Sequence, residues 1–135
     1  MIVVDTSVWV EFFRDSDAWQ VEHLADLISN DEPVALTDVV LTEILQGLRD
    51  DRAARRLERR LEAFDVLRLE DLDDFRRAAA LYRKARQRGF TIRRTLDCLI
   101  ASVCVREGAD LLHADSDFDR LAACTTLEIV MPPVP

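Results

Sequence analysis

Met1-Ile2-Val3-Val4-Asp5-Thr6-Ser7-Val8-Trp9-Val10-Glu11-Phe12-Phe13 opens the chain. Its first four residues read as a short buried strand, Met1 to Val4, that stops on a carboxylate. A helix follows at once, with Thr6 or Ser7 as a natural N-cap. Open α/β sheets carry their sites just past the carboxyl ends of their strands, and that is where Asp5 falls. The adjoining helix start adds free backbone N–H groups and a positive dipole end. One aspartate in such a place is also a plain helix cap. It becomes a candidate site only when other acids occupy equivalent places.

The same alternation continues along the chain. Helical spacing of Val21, Leu24, Leu27 and Ile28 marks a helix over residues 17 to 30, and Val34 to Leu36 follows as a short strand. Thr37 or Asp38 then caps a helix whose buried stripe is Val40, Leu41, Ile44, Leu45 and Leu48. Glu43 sits among those residues, and Gly47, read as lying inside the helix, implies a close approach there. A charged helix from Asp50 to Phe64, a strand from Val66 to Leu69 and a long helix from Glu70 to Arg88, ended by Gly89, come next. Phe90 to Arg94 is a linker. Thr95 reads as the N-cap of a helix with Asp97 in its first turn and Gly108 at its close. Ala109 to His113 is a strand, Asp115 to Asp119 opens a short helix, and Leu127 to Val130 is a last strand. Strands alternating with helices predict a single α/β domain over residues 1–135, an α/β/α sandwich around a mainly parallel sheet of about four to five strands.

Composition narrows the function. Apolar residues at 49% and charged residues at 33% are an ordinary globular mix, without a membrane-length apolar run or a signal peptide. Cys98, Cys104 and Cys124 have no C-x-x-C spacing and read as reduced core thiols of a cytoplasmic protein. The net charge of −8 argues against a general phosphate binder. Yet the positive charge is nearly all arginine, with Lys84 the only lysine, and it clusters at Arg49 to Arg60 and Arg83 to Arg94. Those strips serve either as a local hold on a polyanion or as solvated helix faces paired with nearby acids.

Acids mark several element boundaries or buried stripes: Asp5, Glu43, Asp97 and the pair Asp115 and Asp117. Singly, each has a structural use as a cap, a dipole partner or half of an ion pair. Together they differ, because a parallel sheet lays the strands before Asp5 and Asp115 side by side. Carboxylates gathered at one edge raise one another's pKa unless a cation joins them. A hard divalent ion, Mg²⁺ or Mn²⁺, suits an all-oxygen set. Such an ion lowers the pKa of a bound water and neutralises charge on phosphate oxygens, which fits phosphodiester hydrolysis.

The segments Val4-Asp5-Thr6-Ser7-Val8-Trp9, Leu41-Thr42-Glu43-Ile44-Leu45-Gln46-Gly47, Thr95-Leu96-Asp97-Cys98-Leu99-Ile100-Ala101 and Ala114-Asp115-Ser116-Asp117-Phe118 resemble the four acidic motifs of the PIN domain. Their order and spacing are similar to those of the VapC toxins of bacterial VapBC toxin–antitoxin systems. This resemblance implies an endoribonuclease dependent on Mg²⁺ or Mn²⁺, with Asp5, Glu43, Asp97 and Asp115 as the catalytic acids. Asp5, Asp97, Asp115 and Asp117 would be the metal ligands, and Ser7 rather than Thr6 would hold a water or a carboxylate in place. His113 stands where many relatives have Thr. The resemblance also implies an RNA substrate, a VapB-type antitoxin and a homodimer, with Trp9, Phe12 and Phe13 as a candidate wall of the antitoxin groove.

Three other classes compete. A receiver-type phosphoacceptor needs an acidic pair after the first strand and a lysine near the last, and both are missing. A haloacid-dehalogenase-type phosphatase needs Asp-x-Asp where the chain has Asp5-Thr6-Ser7. A non-catalytic RNA- or protein-binding PIN-like module shares all of these residues and differs only in turnover.

Overall fold

The computed structural model describes residues 1–135. Four strands, β1 (Ile2–Val4), β2 (Val34–Thr37), β3 (Asp65–Leu67) and β4 (Asp110–Leu112), form one sheet in the order β3-β2-β1-β4. Every pairing is parallel, with Val3 opposite Ala35 on one side and Leu111 on the other. Seven helices join them: α1 (Thr6–Phe13), α2 (Trp19–Ser29), α3 (Asp38–Gln46), α4 (Asp51–Leu61), α5 (Leu72–Gln87), α6 (Thr95–Glu107) and α7 (Ser116–Cys124). All four residues of β2 are buried, so both of its faces are covered, as parallel strands require. The expected α/β architecture is present.

One apolar cluster fills the interior, from Val3 and Val4 on the sheet to Leu121 and Leu127 near the end of the chain. Trp9 is its largest side chain. It is fully buried, donates its indole N–H to the Val4 carbonyl at 3.0 Å and packs against Phe12, Phe13 and Phe64. It therefore cannot wall an antitoxin groove, which corrects that expectation; Phe12 and Phe13 are half-buried. The cysteines are free and buried, and burial pushes the Cys98 thiol up to about 11 and the Cys104 thiol up to about 12. No helix is long and apolar enough to cross a membrane.

Several boundaries differ from the sequence reading. The expected last strand shrinks to a single bridge between Leu111 and Ile129, flanked by hydrogen bonds from Leu111 to Glu128 and from Val130 to Leu111. Its partner β4 has only three residues, and Pro132 and Pro133 follow without N–H donors. Gly47 lies past the end of α3 as its C-cap, where an added Cβ would meet only the Ile44 and Glu43 carbonyls. No neighbouring element needs it to be small. Gly108 does have a conformational role. It ends α6 at φ +62°, a left-handed turn that L side chains adopt only with strain.

Candidate metal centre at the carboxyl edge of the sheet

Strands β1, β2 and β4 run the same way, so their carboxyl ends share one edge. From β1 the chain moves to β2 and β3 on one side and later returns to β4 on the other. That reversal opens a crevice at the β1–β4 boundary, the usual position for a site in an open sheet. The Asp5 N–H donates to the Leu112 carbonyl at 2.9 Å and fixes the first acid at this point.

Asp5 itself, rather than Thr6 or Ser7, caps α1. Its Oδ2 accepts from the Ser7 N–H at 3.1 Å and from the Ser7 hydroxyl at 2.6 Å. The Ser7 oxygen also accepts from the Ala114 N–H at 3.0 Å, which ties the end of β1 to the segment after β4. The other Asp5 oxygen, Oδ1, is buried and has no hydrogen-bond partner. Burial raises the Asp5 pKa, the Ser7 hydrogen bonds offset part of that, and the nearby Glu43 charge raises it again. Thr6 has a role of its own: its hydroxyl donates to Glu43 Oε1 at 2.7 Å, bringing the α3 acid to the start of α1.

Asp97 enters from the first turn of α6 and is fully buried. Burial pushes its carboxyl up to about 6, against the pull of Arg94 and with the Asp5 and Asp115 charges adding to the rise. Its Oδ2 is the second buried oxygen without a donor. Arg94 is the N-cap residue of α6, where Thr95 was expected, and it makes no side-chain cap bond. Its guanidinium instead bridges two acids, with Nη1 2.8 Å from Glu43 Oε2 and Nη2 2.8 Å from Asp97 Oδ1.

Asp115 caps α7, accepting from the Asp117 N–H at 3.0 Å, and also accepts from Arg93 Nη2 at 2.9 Å. His113 is buried at the end of β4, and its Nδ1 accepts the Asp115 N–H at 3.1 Å. That contact leaves the ring proton on Nε2, which lies 3.4 Å from Asp119. Asp117 is fully buried, shares Arg93 with Asp115 and has both oxygens hydrogen-bonded. One oxygen accepts from the Arg93 N–H and Nε, the other from Arg120 at 2.7 Å. Burial alone would raise its pKa, but the hydrogen bonds from Arg93 and Arg120 outweigh it and hold the carboxyl below the usual range.

The structure thus links Glu43 and Asp97 through Arg94, with the Asp5 charge felt by Asp97 and Arg94 and the Asp115 charge felt by Asp97, while Asp117 is held by Arg93 and Arg120. No three of the acids, histidines or cysteines stand together as a ready-made cation cage. Arginines occupy that role. A hard divalent ion nevertheless fits the residues present, because the donors are all carboxylate oxygens and two of them are buried without a proton donor. The arginines are what the sequence reading missed. Their signal was the spacing Arg94–Asp97 and Asp117–Arg120, each three residues apart, which pairs side chains across one helical turn.

Comparison with known proteins identifies the family. The PIN domain family matches residues 2–123. VapC ribonuclease Mb1587 of Mycobacterium bovis and ribonuclease VapC11 of Mycobacterium tuberculosis are each 40% identical over 129 residues, spanning 95% of this chain and 96% of the relative. Ribonuclease VapC51 of M. tuberculosis is 32% identical over 123 residues, 91% of this chain and 86% of the relative. Among solved structures, FitAcB from Neisseria gonorrhoeae superposes with a TM-score of 0.75 at 23% identity, covering 98% of both chains. VapBC2 from Rickettsia felis, bound to a DNA fragment from its promoter, superposes at 0.74 and 19% identity, covering 96% of this chain and 98% of the other. These two show a shared fold. Family match and sequence identity together establish that the chain belongs to the PIN-domain family and is of the VapC type.

Proposed function

We propose that the chain is the toxin of a toxin–antitoxin pair and an endoribonuclease that hydrolyses RNA phosphodiester bonds with Mg²⁺ or Mn²⁺. The observation that carries this reading is the pair of buried, partnerless oxygens on Asp5 and Asp97 at the carboxyl edge. An unpaired buried polar atom costs about 1–3 kcal/mol, and a bound cation removes that cost. Asp5, Asp97 and Asp115 would hold the ion, with Glu43 beside them. Asp117 would serve indirectly by anchoring Arg93. When bound, the cation supplies a more acidic water and screens charge building on the phosphate.

The protein side chains supply orientation. Ser7 fixes the Asp5 carboxylate, Thr6 holds Glu43 Oε1 and Arg94 holds Glu43 Oε2, so both acids are set in place to orient the attacking water. The names of the relatives support ribonuclease chemistry, and the VapBC complexes among the structural neighbours support a VapB-type protein partner. We assign the pair to the cytoplasm and the toxin to a homodimer.

The test is cleavage of a mixed RNA pool by purified protein in Mg²⁺, Mn²⁺ or EDTA. Internal cuts that need the ion and vanish with chelator are expected. RNA binding without cleavage in either ion would replace this reading with the non-catalytic module. Cleavage that persists in EDTA would remove the metal from it.

A further inference from the structure

Arg94 occupies the ground a cation has to enter. Its guanidinium lies within 2.8 Å of both Glu43 and Asp97, and its positive charge also acts on Asp5. The guanidinium pairs two buried carboxylates, and a buried charge without a partner is costly. A divalent ion supplies more charge in less volume, and both cannot hold the same oxygens. From this geometry we propose that Arg94 is a built-in counter-ion of the metal-free site. A divalent cation displaces it, and its freed guanidinium then binds a phosphate of the RNA. The second half rests on the nuclease reading; the first does not.

Exposure separates Arg94 from the arginines that hold Asp74. Arg106 and Arg77, which hold the buried Asp74, are 18% and 29% exposed in their side chains. Arg94 is 47% exposed, while its partners Glu43 and Asp97 are 6% and 0% exposed. The acids are fixed and the cation sits at the mouth. Its backbone is extended, at φ −130° and ψ 129°, just before α6 begins. The side chain can therefore swing away by rotamer change without disturbing the helix that carries Asp97. A guanidinium is also a planar fork that matches phosphate oxygens. Released but tethered, it stays within one side chain's length of the bond to be cut. Arg93 differs, because its backbone N–H also holds Asp117, and Arg120 shares that carboxylate.

The experiment is a Mn²⁺ titration of the full chain by calorimetry, comparing wild type, Arg94→Gln and Arg76→Gln. Arg76 pairs only with exposed Asp73 and controls for the loss of one charge. Arg94→Gln is expected to bind Mn²⁺ roughly tenfold tighter, the effect of removing one nearby positive charge at high effective dielectric. Arg76→Gln is expected to match wild type. A second arm measures binding of a short fluorescent RNA in Ca²⁺, which separates binding from cleavage; Arg94→Gln should bind it roughly tenfold more weakly. Circular dichroism checks the fold. Arg94→Lys, with the charge but not the fork, should fall between the two in Mn²⁺ affinity and serves alone if the Gln variant does not fold. Unchanged or weaker Mn²⁺ binding overturns the counter-ion role, and unchanged RNA binding overturns the phosphate role. A wild type that binds Mn²⁺ and cuts no RNA sinks the nuclease reading and leaves the displacement result standing.

Discussion

The Ser7 hydroxyl and the Ala114 amide, 107 residues apart in sequence, meet at 3.0 Å. The same hydroxyl donates its proton to Asp5 at 2.6 Å. One side chain thus joins the ends of two neighbouring strands and aims a carboxylate at the space between them. Its geometry is complete: one donation, one acceptance, and the backbone N–H of the same residue on the same Asp5 oxygen.

Removing that hydroxyl should cost both stability and activity. Ser7→Ala loses two hydrogen bonds in a half-buried place, worth about 1–2 kcal/mol. In a domain of this size that is a melting temperature lower by roughly 2–6 °C. Cleavage should drop by roughly tenfold, since Asp5 keeps its charge but loses its aim. Thermal melts and RNA cleavage rates check both. An unchanged rate would show that the Asp5 backbone alone sets the carboxylate.

Asp5→Asn and Asp97→Asn should each lower cleavage by at least about a hundredfold, the scale of losing one principal electrostatic element of a site. Neither change should unfold the protein, because both wild-type carboxyls carry raised pKa values from burial and the neutral amide avoids burying a charge. Circular dichroism and cleavage at saturating Mn²⁺ make the comparison. Full activity in either variant would remove that residue from the site.

His113 gives a sharper contrast between two substitutions. Its Nδ1 accepts the Asp115 N–H at 3.1 Å, and its ring lies 5.4 Å from that of Phe118. His113→Ala loses the acceptor and leaves a space, so cleavage should fall by roughly tenfold, with a stability loss of about 1–3 kcal/mol. In His113→Asn the side-chain oxygen stands near the position of Nδ1, and most of the activity should return. Equal rates in the two variants would show that packing, not the hydrogen bond, holds Asp115.

The strand ends and their acids were readable because each obeys a local rule: an apolar run, then a carboxylate, then a helix. Asp5 and Asp115 follow it, and Asp97 is read instead from the first turn of α6. Capping was misassigned at α1 because residue preferences rank Ser, Thr and Asp together, and only the backbone decides which stands at the boundary. At α6 the cap was sought in Thr95, while the boundary residue Arg94 spends its side chain on Glu43, 51 residues distant. Sequence carries no distance between such residues. The last strand failed for a similar reason: alternation describes a strand's faces, but its length depends on the partner, and β4 is short. Asp74 was hidden most completely, since Asp71-Leu72-Asp73-Asp74 reads as an acidic, solvated helix start.

Asp74 is in fact buried and locks α5 to α6. Its carboxylate accepts the Glu70 N–H at 2.7 Å and Arg77 at 2.8 Å, and it pairs with Arg106. The Ser102 hydroxyl donates to its carbonyl at 2.6 Å. Burial alone would raise its pKa, but the Glu70 N–H, Arg77 and Arg106 outweigh it, so the folded value lies below the ordinary 3.8. The sign follows from linkage. An acid with a depressed folded pKa adds stability above its unfolded value, and that stability is lost as pH falls through the folded value. Asp74→Asn leaves two arginines short of a partner and should cost about 3 kcal/mol at pH 7. The deficit relative to wild type should shrink below about pH 4 as the wild-type carboxyl protonates. Urea unfolding of both proteins at pH 7 and pH 3 measures it, and a deficit equal at the two pH values would show that shape rather than charge makes the lock.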